Sequence, residues 1–326
     1  MKPGPWSDWQ AFAPGIELPP AVLAEILDGG QAFRWFRSLE PSTLRSRGEG
    51  GRPHANDDVW TGTWSEHVAQ LRRHEGRLEW RAPAHRVEAT APALARLLAT
   101  DTDWPALTDS LPWRSDPHLA TCITAFPGLR LLRQPFGETL LCFLCSATKQ
   151  IVQIKQMVAL LAQRHGNNVC RAGSLTPPHG GISDAALQFR LPTWAELATI
   201  PEKDLRGCLL GFRARFIHET ALFLAARPGW LDETEGLPYP AAKARMLELP
   251  GVGEKVADCV LLFGAGRLEA FPVDTWVLKS LARRYGLDGW RPAQVAHFGR
   301  THFGPLAGLA QQYLFAWERR HGRGQV

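Results

Sequence analysis

No run of 18 or more apolar residues occurs in the 326-residue chain, which excludes a membrane-spanning helix by length alone. The opening Met1-Lys2-Pro3-Gly4-Pro5-Trp6 leads into no apolar signal core. The expected setting is therefore intracellular and reducing: cytoplasm and nucleoid, or the nucleus of a eukaryote. Cysteine is thinly spread. Cys122, Cys142, Cys145, Cys170, Cys208 and Cys259 form no dense framework of the kind that staples small secreted domains. Only Cys142 and Cys145 have CxxC spacing, inside the apolar run 139–145, which reads as a buried helix. With no second pair nearby, zinc is not expected and two core thiols are. There is no internal repeat. Neither a metal nor a cofactor is expected.

The rest of the composition permits more than it excludes. A length of 326 residues suits two or three compact lobes, and 45% hydrophobic residues suffice for a full core. A formal charge of +5 and a pI near 9.0 fit an acidic partner such as nucleic acid, although a mildly basic protein of any function would look the same. Thirteen tryptophans suit base stacking, but most of them are expected in the core.

Residues 16 to about 95 read as mainly β. Val59-Trp60-Thr61-Gly62-Thr63-Trp64 is aromatic and β-branched, and Arg77-Leu78-Glu79-Trp80-Arg81-Ala82 alternates with period two. The Gly-, Arg- and Ser-rich stretch between Ser38 and Asp58 reads as a flexible loop. From about residue 91 the period becomes helical. Leu94, Leu97 and Leu98 share a face, and Leu144, Ile151, Ile154, Met157, Val158 and Leu161 continue the pattern from Leu140 to Leu161. Residues 167–192 read as a loop. Helical patterning then runs to a basic tail at 319–324 that is expected to fray.

One segment carries chemistry. In Leu249-Pro250-Gly251-Val252-Gly253-Glu254-Lys255-Val256, a helix over about 241–248 stops at Pro250 and Gly251, and a second starts near Glu254. The free amides at that start, with the positive end of the helix, make an anion site suited to a DNA phosphate. A packed turn with no ligand would share the spacing. Lys255 sits in the first turn of the second helix, where the dipole opposes a cation. A structural lysine gains nothing there, whereas a neutral amine at that place is a nucleophile able to form a Schiff base. A surface lysine beside Glu254 would share the position, and the position alone does not separate the two. Asp274 follows nineteen residues later, at the start of a helix with Val277, Leu278, Leu281 and Tyr285 on one face. It is expected to cap that helix, to be rigid and ionised, and to steady positive charge at a sugar.

Leu-Pro-Gly-Val-Gly-x-Lys, with Pro-Val-Asp about twenty residues on, resembles the helix-hairpin-helix/Gly-Pro-Asp glycosylase superfamily, and within it the 8-oxoguanine DNA glycosylase/AP lyases. Further matches are Gly30-Gln31-Ala32-Phe33-Arg34-Trp35, Phe126-Pro127-Gly128-Leu129-Arg130-Leu131-Leu132-Arg133-Gln134, Leu210-Gly211-Phe212-Arg213-Ala214-Arg215-Phe216 and Ala310-Gln311-Gln312-Tyr313-Leu314-Phe315. The matches span residues 29 to about 318, in order. The resemblance implies an α+β protein: mainly α-helical helix-hairpin-helix glycosylase lobes with an N-terminal antiparallel β-domain. The division is expected as 1–116 (β-domain) and 117–326 (helical glycosylase domain). It implies base-excision repair of oxidised guanine in double-stranded DNA. A monomer is the default expectation, and no membrane partner is expected.

Carried over residue by residue, Lys255 becomes the Schiff-base nucleophile and Asp274 the catalytic carboxylate. Gly30 offers its carbonyl to N7–H of 8-oxoguanine. Cys259 and Phe315 sandwich the flipped base, Gln311 reads its Watson–Crick edge, and Phe33 joins the lesion-base group. Gly251, Gly253 and Val256 grip DNA phosphate. Two departures stand out. Thr148-Lys149-Gln150 and Gln153 replace the asparagines and arginine with which the family reads the base opposite the lesion. Trp276 replaces a frequent histidine two residues after the aspartate. The alternatives are a monofunctional alkylated-base glycosylase, which lacks the hairpin lysine, and a non-catalytic DNA-binding hairpin protein. An iron–sulfur glycosylase needs four C-terminal cysteines, and none follows Cys259.

Overall fold

A computed structural model describes residues 6–12, 16–39, 58–169 and 186–322. The loop expected between Ser38 and Asp58 lies, from residue 40 to 57, outside the described residues, as does most of that at 167–192.

The N-terminal part is a five-stranded antiparallel sheet: β1 (Gln10–Ala11), β2 (Trp35–Leu39), β3 (Asp58–Trp64), β4 (His67–His74) and β5 (Arg77–Arg81), in the order β1-β5-β4-β3-β2. Glu75 and Gly76 both have positive φ and make the tight β4–β5 hairpin. Register aligns Trp60 with Leu71 and Leu71 with Trp80, so one buried apolar row crosses three strands. Trp35 lies flat over Gly62, its register partner, where an added Cβ would come 2.2 Å from the ring. It also stacks on Trp64 at 5.9 Å. These tryptophans are core, as expected of most.

The sequence reading assigned residues 16–95 to β structure too broadly. Helix α1 (Pro20–Asp28) precedes the sheet's main strands, with Val22, Leu23, Ile26 and Leu27 buried on one face at helical spacing. Helix α2 (Val87–Leu97) starts before residue 91 and buries Leu94 and Leu97. Helices α3 (Trp104–Asp109) and α4 (Pro117–Ala125) follow, each capped by an aspartate, Asp103 and Asp116.

The helix expected from Leu140 to Leu161 is two helices, α5 (Phe136–Leu144) and α6 (Ile151–His165). Thr148 between them adopts φ +55 and breaks the run, which apolar periodicity alone does not report. Next come α7 (Trp194–Thr199), α8 (Glu202–Leu205), α9 (Arg213–Ala225), α10 (Trp230–Gly236), α11 (Tyr239–Met246), α12 (Glu254–Phe263), α13 (Thr275–Tyr285), α14 (Pro292–Phe303) and α15 (Ala307–His321). Of the tail expected to fray, residues 319–321 close α15, with Arg319 paired with Glu25 of α1 at 2.5 Å, and residues 323–324 lie outside the described residues.

One continuous apolar core joins the sheet to the helices, from Leu18 and Trp35 through Phe143 and Val260 to Leu314. Cys142 and Cys145 lie in it as free thiols, and burial pushes Cys145 up to about 12. Among the described residues no helix is long and apolar enough to cross a membrane.

Candidate active site

Helix α9 is the bed of the hairpin. Thr220 Oγ1 donates to the Pro250 carbonyl at 3.0 Å. Gly251 turns the chain at φ +77, and a Cβ there would meet the Phe216 ring at 2.6 Å, so no other residue fits. Gly253 begins α12 and brings no side-chain cap. The amides of Glu254, Lys255 and Val256 therefore have no intrahelical acceptor, at a helix start flanked by the exposed residues Gly251, Gly253 and Glu254. Val256 offers only its amide to this site, since its side chain is buried. Behind the hairpin, Asp258 is buried and accepts from Tyr239 at 2.7 Å, with Lys243 at 2.9 Å. Lys243 also reaches Glu254 at 2.6 Å. The start of α12 is thereby locked to α11.

Lys255 leaves the first turn of α12, as its position in the sequence requires. Its Nζ donates to Ser146 Oγ at 3.1 Å and stands 5.3 Å from the Phe143 ring centre. Ser146 Oγ in turn donates to the Phe143 carbonyl at 2.6 Å, which fixes the hydroxyl and turns its lone pairs to the amine. One helical turn on, Cys259 shares the face of Lys255. Burial pushes its thiol up to about 12, with the Lys255 cation pulling the other way. Cys259 is therefore a neutral, packing thiol at physiological pH.

Asp274 caps α13 as expected: Oδ1 accepts from Trp276 N at 3.0 Å and Val277 N at 2.8 Å. The cap occupies one carboxylate oxygen. Burial raises its carboxyl above the ordinary value, while the two amides and Lys255 oppose that shift without cancelling it. The cap and Lys255 favour the anion, and the apolar surroundings favour the acid.

Gln311 is almost fully buried and its amide has no freedom to flip. Nε2 donates to the Pro272 carbonyl at 3.1 Å, and Oε1 accepts from Gln312 Nε2 at 2.7 Å. Gly30 has φ +109, and a Cβ there would lie 3.3 Å from Ile151 and 3.7 Å from Phe315. Gln31 holds this turn to the chain at 130–134, donating to Arg130 O at 3.1 Å and accepting from Leu132 N at 2.9 Å.

These groups meet at one cavity. Gly30, Lys255, Cys259, Asp274, Gln311 and Phe315 all line it. The sequence reading missed four further lining residues, Phe143, Phe263, Pro272 and Gln312. Gln312 stands in the matched segment Ala310–Phe315, and its neighbours there were the one signal available. Phe33 is not on the cavity wall. It is buried behind it, edge-on to Phe143 at 5.3 Å, and supports that ring.

The residues of the opposite-base region lie outside the cavity, Thr148 and Lys149 on the exposed turn from α5 into α6 and Gln153 in the first turn of α6. Gln153 Oε1 accepts from Gln150 N at 3.2 Å as half of a capping box. Thr148 Oγ1 accepts from Arg213 at 3.1 Å, and Arg213 also donates to Ala147 O and, at 3.2 Å, to Leu210 O. Lys149 is exposed. Trp276 gives its amide to Asp274. Among the described residues no cluster of His, Cys, Asp and Glu suits a metal ion.

Comparison with known proteins agrees with this geometry. Residues 16–140 match the family model for the N-terminal domain of 8-oxoguanine DNA glycosylase. A probable N-glycosylase/DNA lyase of Methanothermobacter thermautotrophicus is 32% identical over 216 residues, 64% of this chain and 69% of that protein. The N-glycosylase/DNA lyase OGG1 of Arabidopsis thaliana is 30% identical over 305 residues, 89% of this chain and 75% of that one. The Clostridium acetobutylicum 8-oxoguanine glycosylase/lyase, solved with double-stranded DNA holding cytosine opposite 8-oxoguanine, superposes with a TM-score of 0.76 at 26% identity and covers 92% of each chain. The chain belongs to the 8-oxoguanine DNA glycosylase/AP lyase family of the helix-hairpin-helix glycosylases.

Proposed function

We propose that this protein is a base-excision-repair DNA glycosylase that flips 8-oxoguanine out of double-stranded DNA, excises it through a Lys255 Schiff base and cleaves the strand by β-elimination. The observation that carries the reading is the convergence of Lys255 and Asp274, from two different helices, on a cavity also lined by Gly30, Cys259, Gln311 and Phe315. The hairpin amides at Gly251, Gly253 and Val256 hold phosphate without reading sequence. Extruding a base costs a few kcal/mol of stacking and pairing. The faces of Cys259 and Phe315 and the fixed amide of Gln311 offset that cost.

In the chemical step Lys255 gives up one ammonium proton, which the departing base takes up, and the freed amine bonds to C1′ as the C1′–N9 bond breaks. The bonding pair leaves with the base. Asp274 steadies the positive charge on the sugar. Ring opening gives a Schiff base. Loss of a C2′ proton then expels the 3′ phosphate and breaks the strand. Lys255 on the cavity wall separates this reading from that of a monofunctional glycosylase activating water. The enzyme acts as a monomer inside the cell, in the cytoplasm and nucleoid or in a nucleus. We place the division at residues 116/117, where Asp116 caps α4 from Pro117; the N-terminal family match itself runs on to residue 140.

The test is a duplex carrying one 8-oxoguanine. The expected outcome is release of the free base together with a cut 3′ to its sugar. Release of the base with an intact strand at every time point would contradict the lyase half.

A further inference from the structure

Gly30 is held on two sides by a repeated arrangement. On α6, Ile151 touches it: the 3.3 Å neighbour of its missing Cβ is Ile151 Cδ1. Four residues on, Lys155 donates to Asp28 Oδ1 at 2.6 Å and to the Trp35 carbonyl at 2.6 Å, with its ammonium 4.4 Å from the Phe36 ring. On α15, Phe315 is the other neighbour, at 3.7 Å. Four residues on, Arg319 donates to Glu25 Oε2 at 2.5 Å. Residues i and i+4 share a helix face. Each helix therefore presents an apolar side chain to Gly30 and a cation to the last turn of α1.

The carboxylates are at the wrong end of α1 for helix stability. A helix C-terminus disfavours anions, and the last turn of α1 carries no cation of its own. Lys155 and Glu25 are each 10% exposed at the side chain while their partners Asp28 and Arg319 are 41% and 26% exposed, so one member of each pair is shielded from water. Burial of a cation so close to a carboxylate is costly unless geometry is fixed. Here fixed geometry is the product. Only Gly29 separates Asp28, the last residue of α1, from Gly30, and a Cβ at Gly29 would overlap the Glu25 carbonyl oxygen at 2.1 Å, so the turn is tight.

We propose that Lys155–Asp28 and Arg319–Glu25 are a two-sided clamp that sets where the Gly30 carbonyl stands, and that Lys155 and Arg319 are positioning residues for lesion discrimination. The inference rests on the reading of Gly30 as the contact to the N7–H of 8-oxoguanine. Neither cation lines the cavity, so both act through Gly30. The clamp matters for excising a base and not for cutting at a site that has already lost its base.

The test uses two duplexes, one with 8-oxoguanine and one with a preformed abasic site, on the full chain and on Lys155→Met, Lys155→Arg, Asp28→Asn and Arg319→Met. The expected result for Lys155→Met is a loss of about tenfold or more in kcat/KM for base release, the scale on which small misplacements act, with abasic-site cleavage within about twofold of wild type. Lys155→Arg, which keeps the charge, recovers most of the loss. Asp28→Asn, altering only the half-exposed partner, gives the same split with less risk to folding. Abasic-site cleavage reports whether each variant is folded. Equal loss on both duplexes, or no loss on either, overturns the clamp while leaving the glycosylase reading intact. A wild type that releases no 8-oxoguanine overturns that reading and the clamp with it.

Discussion

Lys255 Nζ and Ser146 Oγ meet at 3.1 Å across 109 residues of sequence, joining the hairpin helix to the end of α5. The hydroxyl is itself oriented by the Phe143 carbonyl. The amine therefore rests against a fixed acceptor, aimed from one direction, on the wall of the cavity. Ser146→Ala removes that acceptor. The expected result is a fall of several-fold to tenfold in single-turnover excision and a loss of about 1 kcal/mol in stability, the usual worth of a buried hydrogen bond. Single-turnover kinetics and a denaturant titration measure the two. Unchanged kinetics would mean that the Ser146 contact does not orient the reactive amine.

Asp274 carries a stability cost that its function requires. Burial raises its carboxyl above the ordinary value of 3.8. The native state thus binds the proton more tightly than the unfolded chain does. Its contribution to stability is present below the ordinary value and is lost as pH rises through the raised one. Asp274→Asn keeps a capping oxygen, since asparagine caps as well as aspartate. The variant is expected to be at least as stable as wild type at pH 7 and less dependent on pH between the ordinary and raised values. Excision is expected to fall by about a hundredfold or more, the scale seen when a preorganised electrostatic partner is removed. Thermal unfolding from pH 3 to 8, alongside excision assays, checks both signs.

The same group sets the acid side of activity. Asp274 is needed as an anion, so excision is expected to fall on acidification at a pH above the ordinary carboxylate range, in step with the raised carboxyl. A pH–rate profile for the wild type shows that limb. An acid limb at an ordinary carboxylate value would contradict the role of burial.

Gly251 tests the hairpin. A Cβ at that position meets Phe216 at 2.6 Å and a φ of +77 is strained for any other residue. Gly251→Ala is expected to destabilise the protein by about 1–3 kcal/mol. It should also weaken binding to lesion-bearing and undamaged duplexes alike, because phosphate contacts carry no base information. Titration of both duplexes at two salt concentrations measures this. Selective loss on the lesion-bearing duplex would place the hairpin in base reading instead.

What was legible in the sequence was local. Pro250-Gly251-Val252-Gly253 announces the hairpin through turn chemistry, and Lys255 stands out because a cation is misplaced at a helix start. Asp274 as an N-cap follows from the helical period after it, and the structure has it in that place. What failed to show was of two kinds. Helix α1 was absorbed into the β reading, although Val22, Leu23, Ile26 and Leu27 carry helical spacing, and the break at Thr148 lies in a backbone angle. The supporting contacts are long-range: Ser146 to Lys255, Gln311 to Pro272, Lys155 to Asp28 and Arg319 to Glu25. The last pair ties the C-terminal helix to α1. Phe33 marks the limit of carrying a residue over by resemblance, since it supports the cavity wall without forming it.

The central claim is that Lys255 is the nucleophile, and borohydride trapping tests it most directly. Wild type and Lys255→Gln are each incubated with duplex carrying 8-oxoguanine opposite each of the four bases, with borohydride present. A covalent protein–DNA adduct formed by wild type and absent with Lys255→Gln is the predicted result, and its dependence on the opposite base reports what Thr148, Lys149 and Gln153 read. An adduct that persists in Lys255→Gln, or base release by wild type with no adduct at all, would contradict the account.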